Sequence, residues 1–268
     1  MDITGYAAIS GAGSGIGRAT AMTFAREGAA GIAMLDISGP ALERARRDVE
    51  GAATNPAFRG VLTFEVDVRD EAGVDSAIAS THQKFGRIDY LVNCAGIAFK
   101  HRGTAAAETK DWQRVLDINL TGTFFALRAC ARIMLQQDPI KSAIDGRPLQ
   151  RGSIVNISSV LGHVGVTNSV AYCASKHGVI GLTKNASEDH AAQGLRINAV
   201  CPGFIETPLT ASTPEIIQTF KDKTEVWTPM KRPGQPQEIA DVCVWLAGGR
   251  SSFVTGTSIC ADGGYLAR

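Results

Sequence analysis

Tyr172 and Lys176 stand four residues apart in the stretch SVAYCASKHG (169–178), with only Cys173, Ala174 and Ser175 between them. On a helix this spacing stacks the two side chains on one face, so a phenol meets an ammonium. A free tyrosine, with a pKa of about 10, is a poor base at neutral pH. A nearby cation favours the phenolate and makes the pair a candidate for proton transfer. Alone it says little, because Tyr and Lys at this spacing decorate many ordinary helices.

A second constellation lies near the N-terminus. The run SGAGSGIGRAT (10–20) holds Gly11, Gly13, Gly15 and Gly17, with Ser14 and Ile16 between the last three. Glycines between a strand and a helix let the backbone turn sharply and bring a diphosphate onto the first N–H groups of the helix. Asp36 follows Gly17 by 19 residues, at the end of the next apolar run. An acid there accepts hydrogen bonds from adenosine ribose hydroxyls and repels a 2′-phosphate. No Lys or Arg lies within 11–17, and Ile37 and Ser38 after the acid carry no cation; Arg18 begins the helix beyond the turn. The reading is NAD in preference to NADP.

These groups need a frame. Short apolar runs at 6–10, 30–36, 61–68, 88–96, 152–159, 195–203 and 257–264 read as strands, and 15–28, 40–50, 70–85, 109–136, 170–193 and 236–248 as helices. Near-continuous apolar strands alternating with helices predict a doubly wound α/β domain whose parallel sheet is covered on both faces. Nothing reads as a linker, so residues 1–268 form one expected domain. Residues 137–151, with two prolines and a glycine, read as an exposed surface loop. The proline-rich stretch 204–235 follows a strand end and is expected to form a substrate lid.

Composition excludes other classes. Lys+Arg 27 against Asp+Glu 26 leaves a net charge of +1, which offers no grip on nucleic acid or an anionic membrane surface. The six cysteines form no CxxC and no Cys/His grouping at metal-ligand spacing. The chain opens without a basic segment leading into an apolar run, and no apolar stretch approaches membrane-spanning length. The expectation is a reduced, soluble, cytoplasmic protein with no metal and no membrane span.

The motifs SGAGSGIG (10–17), DV (67–68), NCAG (93–96), Asn119 in DINLTG, ISS (157–159), YCASK (172–176), PGFIET (202–207) and TGTSICADGG (255–264) occur in this order. Together they closely resemble the short-chain dehydrogenase/reductase family over nearly the whole chain. The resemblance implies a Rossmann fold with a seven-stranded parallel sheet and a catalytic set of Asn119, Ser159, Tyr172 and Lys176. Ser159 is chosen over Ser158 because the family's serine lies 13 residues before its tyrosine. It also implies cofactor contacts from Gly11, Ser14, Gly15, Ile16, Gly17, Asp36 and Ile37, and assigns Asp67 and Val68 to the adenine. Asn93, Ala95 and Gly96 then belong to the ribose region, Pro202 and Gly203 to the cofactor floor, and Ile205 and Thr207 to the nicotinamide carboxamide.

Departures from the family pattern are few. Ser10 stands where the motif begins with threonine, and Cys94 replaces the more frequent asparagine. Asn119 and Ser159 are 40 residues apart because of the 137–151 stretch, an insertion found in fungal, secondary-metabolism members. In the implied chemistry Tyr172 is the base for alcohol oxidation and the acid for reduction. Lys176 lowers the phenol's pKa and holds the nicotinamide ribose, Ser159 bonds the substrate oxygen, and Asn119 positions a proton-carrying water.

Pocket walls in such proteins come from three segments, here including Ile97, Ala98, Phe99, Val160, Leu161, Val164, Val166, Phe204, Leu209, Ile216, Ile217, Phe220 and Trp227. The set is apolar and suits a lipophilic alcohol or ketone of terpenoid, steroid or polyketide type. His101, His163, His177 and His190 need no catalytic role, and Trp112 and Trp245 read as packing. Two rivals stand beside an NAD-dependent alcohol dehydrogenase: an NADPH-dependent ketone or 3-oxoacyl reductase, and a non-catalytic NAD-sensing scaffold. A homotetramer, or a dimer, is implied by resemblance.

Overall fold

The computed structural model describes residues 1–210 and 214–267. Seven strands make one parallel sheet: β1 (Tyr6–Ser10), β2 (Gly31–Asp36), β3 (Val61–Glu65), β4 (Tyr90–Asn93), β5 (Gly152–Ile157), β6 (Leu195–Pro202) and β7 (Ser258–Ala261). Their order across the sheet is β3-β2-β1-β4-β5-β6-β7. The chain therefore winds one way from β1 and the other way from β4, which leaves a crevice beyond their carboxyl ends.

Among the described residues eight α-helices connect the strands: α1 (Gly15–Arg26), α2 (Gly39–Ala52), α3 (Glu71–Phe85), α4 (Thr109–Leu116), α5 (Gly122–Met134), α6 (Val170–His190), α7 (Pro214–Trp227) and α8 (Pro236–Ala247). The strands are apolar at successive positions because both faces are covered. In β1, Ala7 and Ile9 join the core under α1, α2 and α8, whereas Ala8 joins the opposite core under α3 and α5. Phe24 of α1 stacks on Tyr90 of β4 at 5.4 Å, and both are fully buried. Each such side chain contributes about 1.5–3 kcal/mol by leaving water, so the centre of the sheet is a rigid base for the loops above it.

Three expectations need correction. The segment 109–136 is not one helix: α4 passes into a π-helical turn, Asp117–Thr121, before α5 begins. The 137–151 loop is not simply exposed. Ile140, Ser142 and Gln150 are buried, and the N-terminus clasps the loop through Asp2, which accepts from Ser142 Oγ at 2.7 Å and Ala143 N at 2.8 Å. The lid contains a helix, α7, opened by Pro214 at its first turn, where the missing N–H costs nothing. The side chains of Ile216 and Ile217, expected in the pocket wall, lie outside the described residues.

Candidate active site

The glycine-rich turn joins β1 to α1. Gly11 and Gly15 have φ of +66° and +51°, in the region L side chains avoid. At Gly17 a Cβ would sit 2.1 Å from the Gly11 carbonyl oxygen, so only glycine lets the helix start this close to the turn. Ser14 caps α1 without a side-chain bond to it, and the first helical turn holds no acid. The positive end of the helix is thus left open to an anion.

Beyond this turn lies a cleft of about 410 Å³, lined by Gly11, Ser14, Gly15, Ile16, Gly17, Asp36, Ile37, Asp67, Val68, Ala95, Gly96 and Thr207 among others. Asp36 is fixed by two backbone donors, Gly13 N to Oδ2 at 2.9 Å and Ser38 N to Oδ1 at 3.0 Å. Arg69 Nε donates to Asp67 Oδ2 at 2.9 Å and holds that carboxyl below its usual range. Glycine cradle, open helix end and anchored acid along one elongated cleft fit a dinucleotide.

The cleft continues into a smaller cavity of about 130 Å³, whose walls include Ser159, Tyr172, Lys176, Pro202, Gly203, Ile205 and Thr207. Ile16, Cys94, Gly96, Thr207 and Leu209 belong to both. Three elements supply the chemical side chains: α6 carries Tyr172 and Lys176, the end of β5 leads to Ser159, and the π-helical turn carries Asn119. Lys176, on α6 and almost wholly buried, donates to the Ile157 carbonyl at the end of β5, 2.8 Å away. Its ammonium lies 5.6 Å from the Tyr172 ring centroid. Tyr172 and Ser159 share the wall of this cavity, and Ser159 Oγ accepts from Leu161 N at 3.1 Å. Ser158 faces away and donates to the Lys176 carbonyl at 2.8 Å, which makes it a brace.

Asn119 occupies the π-helical turn and is fully buried. Its Oδ1 accepts from Ile97 N at 2.8 Å, while Nδ2 donates to Ile97 O at 2.9 Å and Ser175 Oγ at 3.1 Å. Ser175 in turn donates to the Tyr172 carbonyl at 2.8 Å. Asn119 therefore locks the strand-end segment carrying Gly96 to the helix carrying the Tyr–Lys pair, and Ser175 is a link that the motif reading overlooked. The extra residue of a π turn re-aims a side chain at such sites.

The electrostatics differ from expectation in one respect. Burial raises the Tyr172 phenol above its ordinary 10, and the neighbouring Ser159 hydroxyl only partly offsets this. Burial lowers Lys176 to about 8. The protein alone thus leaves the phenol protonated, because Lys176 is turned onto the Ile157 carbonyl.

Not every expected residue reaches the cleft. The Asn93 side chain is buried between strands, donating to Asn156 Oδ1 at 2.9 Å while accepting from Ser10 Oγ at 3.4 Å. Phe204, Phe220 and Trp227 gather around Tyr265 instead: Phe204 lies 5.3 Å from Phe220 and 5.7 Å from Tyr265, and Trp227 stacks on Tyr265 at 6.4 Å. These rings tie the lid to the C-terminal segment. His163 is exposed and lies 3.3 Å from Ser258 Oγ. Among the described residues, no group of three or more His, Cys, Asp or Glu is arranged to hold a metal ion. No helix among the described residues is long and apolar enough to cross a membrane.

Fold and site together define a dinucleotide-dependent oxidoreductase architecture, and comparison with known proteins agrees. A family profile described as enoyl-(acyl carrier protein) reductase matches residues 11–266. The short-chain dehydrogenase fogB of Aspergillus ruber is 39% identical over 267 residues, covering 98% of this chain and 97% of that protein. The 3-oxoacyl-[acyl-carrier-protein] reductase FabG of Thermotoga maritima is 39% identical over 258 residues, covering 96% of each. Among solved structures, levodione reductase superposes with a TM-score of 0.87 at 35% identity, covering 100% of this chain and 98% of that one. The chain belongs to the short-chain dehydrogenase/reductase family. It is an oxidoreductase of that family, working with a nicotinamide cofactor between alcohols and ketones.

Proposed function

We propose that this protein is an NAD-dependent dehydrogenase oxidising a secondary alcohol on a lipophilic, cyclic substrate of terpenoid, steroid or polyketide type. The observation that carries the reading is the meeting of Ser159, Tyr172 and Lys176 in a cavity sharing its wall with the dinucleotide cleft. Gly11, Ser14, Gly15, Ile16 and Gly17 hold the diphosphate, Asp36 and Ile37 the adenosine ribose, and Asp67 and Val68 the adenine. The backbone at Asn93, Ala95 and Gly96, with Pro202, Gly203, Ile205 and Thr207, borders the nicotinamide end. When bound, the nicotinamide supplies a hydride acceptor and a positive charge beside the phenol.

The chain's own residues do the rest. Ser159 donates a hydrogen bond to the substrate oxygen and keeps it beside Tyr172 Oη. Tyr172 takes the alcohol proton, a step favoured once cationic charge offsets the burial that raises its pKa. Lys176 steadies the phenolate and the cofactor ribose, and Asn119 keeps Gly96 and α6 in register while ordering a water for proton exit. Apolar Val160, Leu161 and Leu209 beside the site favour a lipophilic ring over a charged substrate. Similarity to fungal short-chain dehydrogenases supports a place in secondary metabolism; the near-neutral charge fits a cytoplasmic location, and the family resemblance suggests a homotetramer, checked by light scattering.

The test is NADH formation from NAD with a panel of cyclic alcohols. We expect turnover that Tyr172→Phe lowers by about 10²–10⁴-fold, the usual range for a general acid–base group. An unchanged rate in that variant overturns the assignment. A second reading, an NADPH-dependent 3-oxoacyl or ketone reductase, is favoured by the similarity to the Thermotoga protein and by Arg18, Arg44 and Arg47 around a hollow next to Gly13. A higher kcat/KM with NADPH than NADH decides for it and against the role given to Asp36. A non-catalytic NAD sensor would have no use for the four-residue set.

A further inference from the structure

Two cysteines that look unrelated in sequence are brought face to face by the sheet. Cys201 on β6 is the register partner of Cys260 on β7, so their side chains leave the same face of the sheet. Partners on adjacent strands lie about 4.7–4.9 Å apart, inside the range of about 4.4–6.8 Å between the Cα atoms of a disulfide. The two thiols have opposite surroundings. Cys260 is exposed and lines a cavity of about 550 Å³ on the far side of the sheet edge, with Asp262, Arg232 and Glu238. Cys201 is fully buried, next to Ser158 and the Ser159 backbone. A line of contacts therefore runs from an outer cavity, through Cys260 and Cys201, to the serine beside Tyr172.

We propose that Cys201 and Cys260 form a reversible intrachain disulfide under peroxide, and that this bond switches the catalytic site off. The Cys260 thiolate attacks one oxygen of hydrogen peroxide; the O–O bond breaks, leaving a sulfenic acid and hydroxide. The Cys201 sulfur then attacks the Cys260 sulfur, the S–O bond breaks, and water leaves as S–S forms. Two thiols and one peroxide give one disulfide and two waters, the sulfurs losing two electrons and the peroxide gaining them. Closing the bond draws the Cys201 sulfur towards β7, away from its neighbours Ser158 and Ser159, so the packing behind Ser159 changes. Cys130 and Cys243 are buried in the core and are not reached by this route; Cys173, half-buried beside Tyr172, and Cys94, half-buried in the cleft wall, are the competing targets.

Only the functional consequence rests on the proposed dehydrogenase activity; the disulfide does not. The test treats the native full-length protein with hydrogen peroxide, then alkylates free thiols and maps peptides by mass spectrometry. We expect each chain to become two hydrogens lighter, with Cys201 and Cys260 in one linked peptide, and dithiothreitol to restore both thiols. NADH formation should fall to below about a tenth of its starting value and recover on reduction. Cys260→Ser should keep the untreated rate and lose both the bond and the peroxide sensitivity. A linked peptide with unchanged turnover overturns the switch. No linked peptide, an intermolecular Cys260 bond on a non-reducing gel, or equal inactivation of Cys260→Ser overturns the pair itself.

Discussion

At the residue scale the catalytic pair is in tension with its surroundings. Burial holds Tyr172 above its ordinary pKa and presses Lys176 down to about 8 from 10.5. A buried ammonium is tolerated because it donates to the Ile157 carbonyl, yet it still costs stability relative to the unfolded chain. The sign follows from proton counts: with a folded pKa below the unfolded one, the unfolded chain binds more protons between the two values, so the cost is complete below pH 8 and shrinks as pH rises towards 10.5. Lys176→Met removes that cost and orphans one carbonyl. Its stability relative to the parent should therefore drop by about 2 kcal/mol between pH 7 and pH 9.5, measured by urea denaturation at both pH values. A constant difference would mean that Lys176 keeps its ordinary pKa. The spacing of Tyr172 and Lys176 was legible in the sequence because a helix period is local. The direction of the phenol's shift was not, since it depends on how deeply the fold buries the ring.

At the element scale the turn between β1 and α1 carries the sharpest constraint. Gly17→Ala drives a methyl into the Gly11 carbonyl, so turn and helix must separate. We expect a loss of about 1–3 kcal/mol, as for overpacked cores, and weaker NADH binding by fluorescence titration, because the N–H groups of the first turn are re-aimed. Gly51→Ala in α2 is the contrast: a Cβ there meets nothing within 4 Å, and the substitution should stabilise by about 0.5–1 kcal/mol. Equal melting temperatures for the two variants would show that the close approach at Gly17 is not maintained in solution. The central strands β1, β2, β4, β5 and β6 were readable because both faces are buried and the apolar run is continuous. Helix α7 was hidden by prolines read as loop signals, although Pro214 followed by Glu215 is also a helix opening. The π turn at Asn119 had no signal, because the sequence around it keeps ordinary helical composition. Asn93 shows the limit of motif transfer: its position in NCAG is right, but its side chain belongs to a network running through Asn156 to Thr183.

For the whole molecule the decisive feature is that the two halves of the sheet meet at β1 and β4, under the cleft. In the proposed placement a dinucleotide lying there would contact the first half through the glycine turn and Asp36, and the second through Tyr172, Lys176 and the β6 end. It binds the folded chain and has no site on the unfolded one, so it must stabilise the fold by mass action. At about a hundred times its Kd the gain is about 2.7 kcal/mol, which for a chain of this length raises Tm by roughly 5–10 °C. With Asp36 held by Gly13 and Ser38 against the ribose end, a 2′-phosphate would meet a fixed carboxylate. NADH should therefore raise Tm in differential scanning fluorimetry, NADPH at equal concentration should raise it less, and Asp36→Ala should narrow the gap. Equal shifts from both cofactors in the parent chain would move the phosphate-binding role to the arginines beside Gly13, and with it the physiological direction from oxidation to reduction.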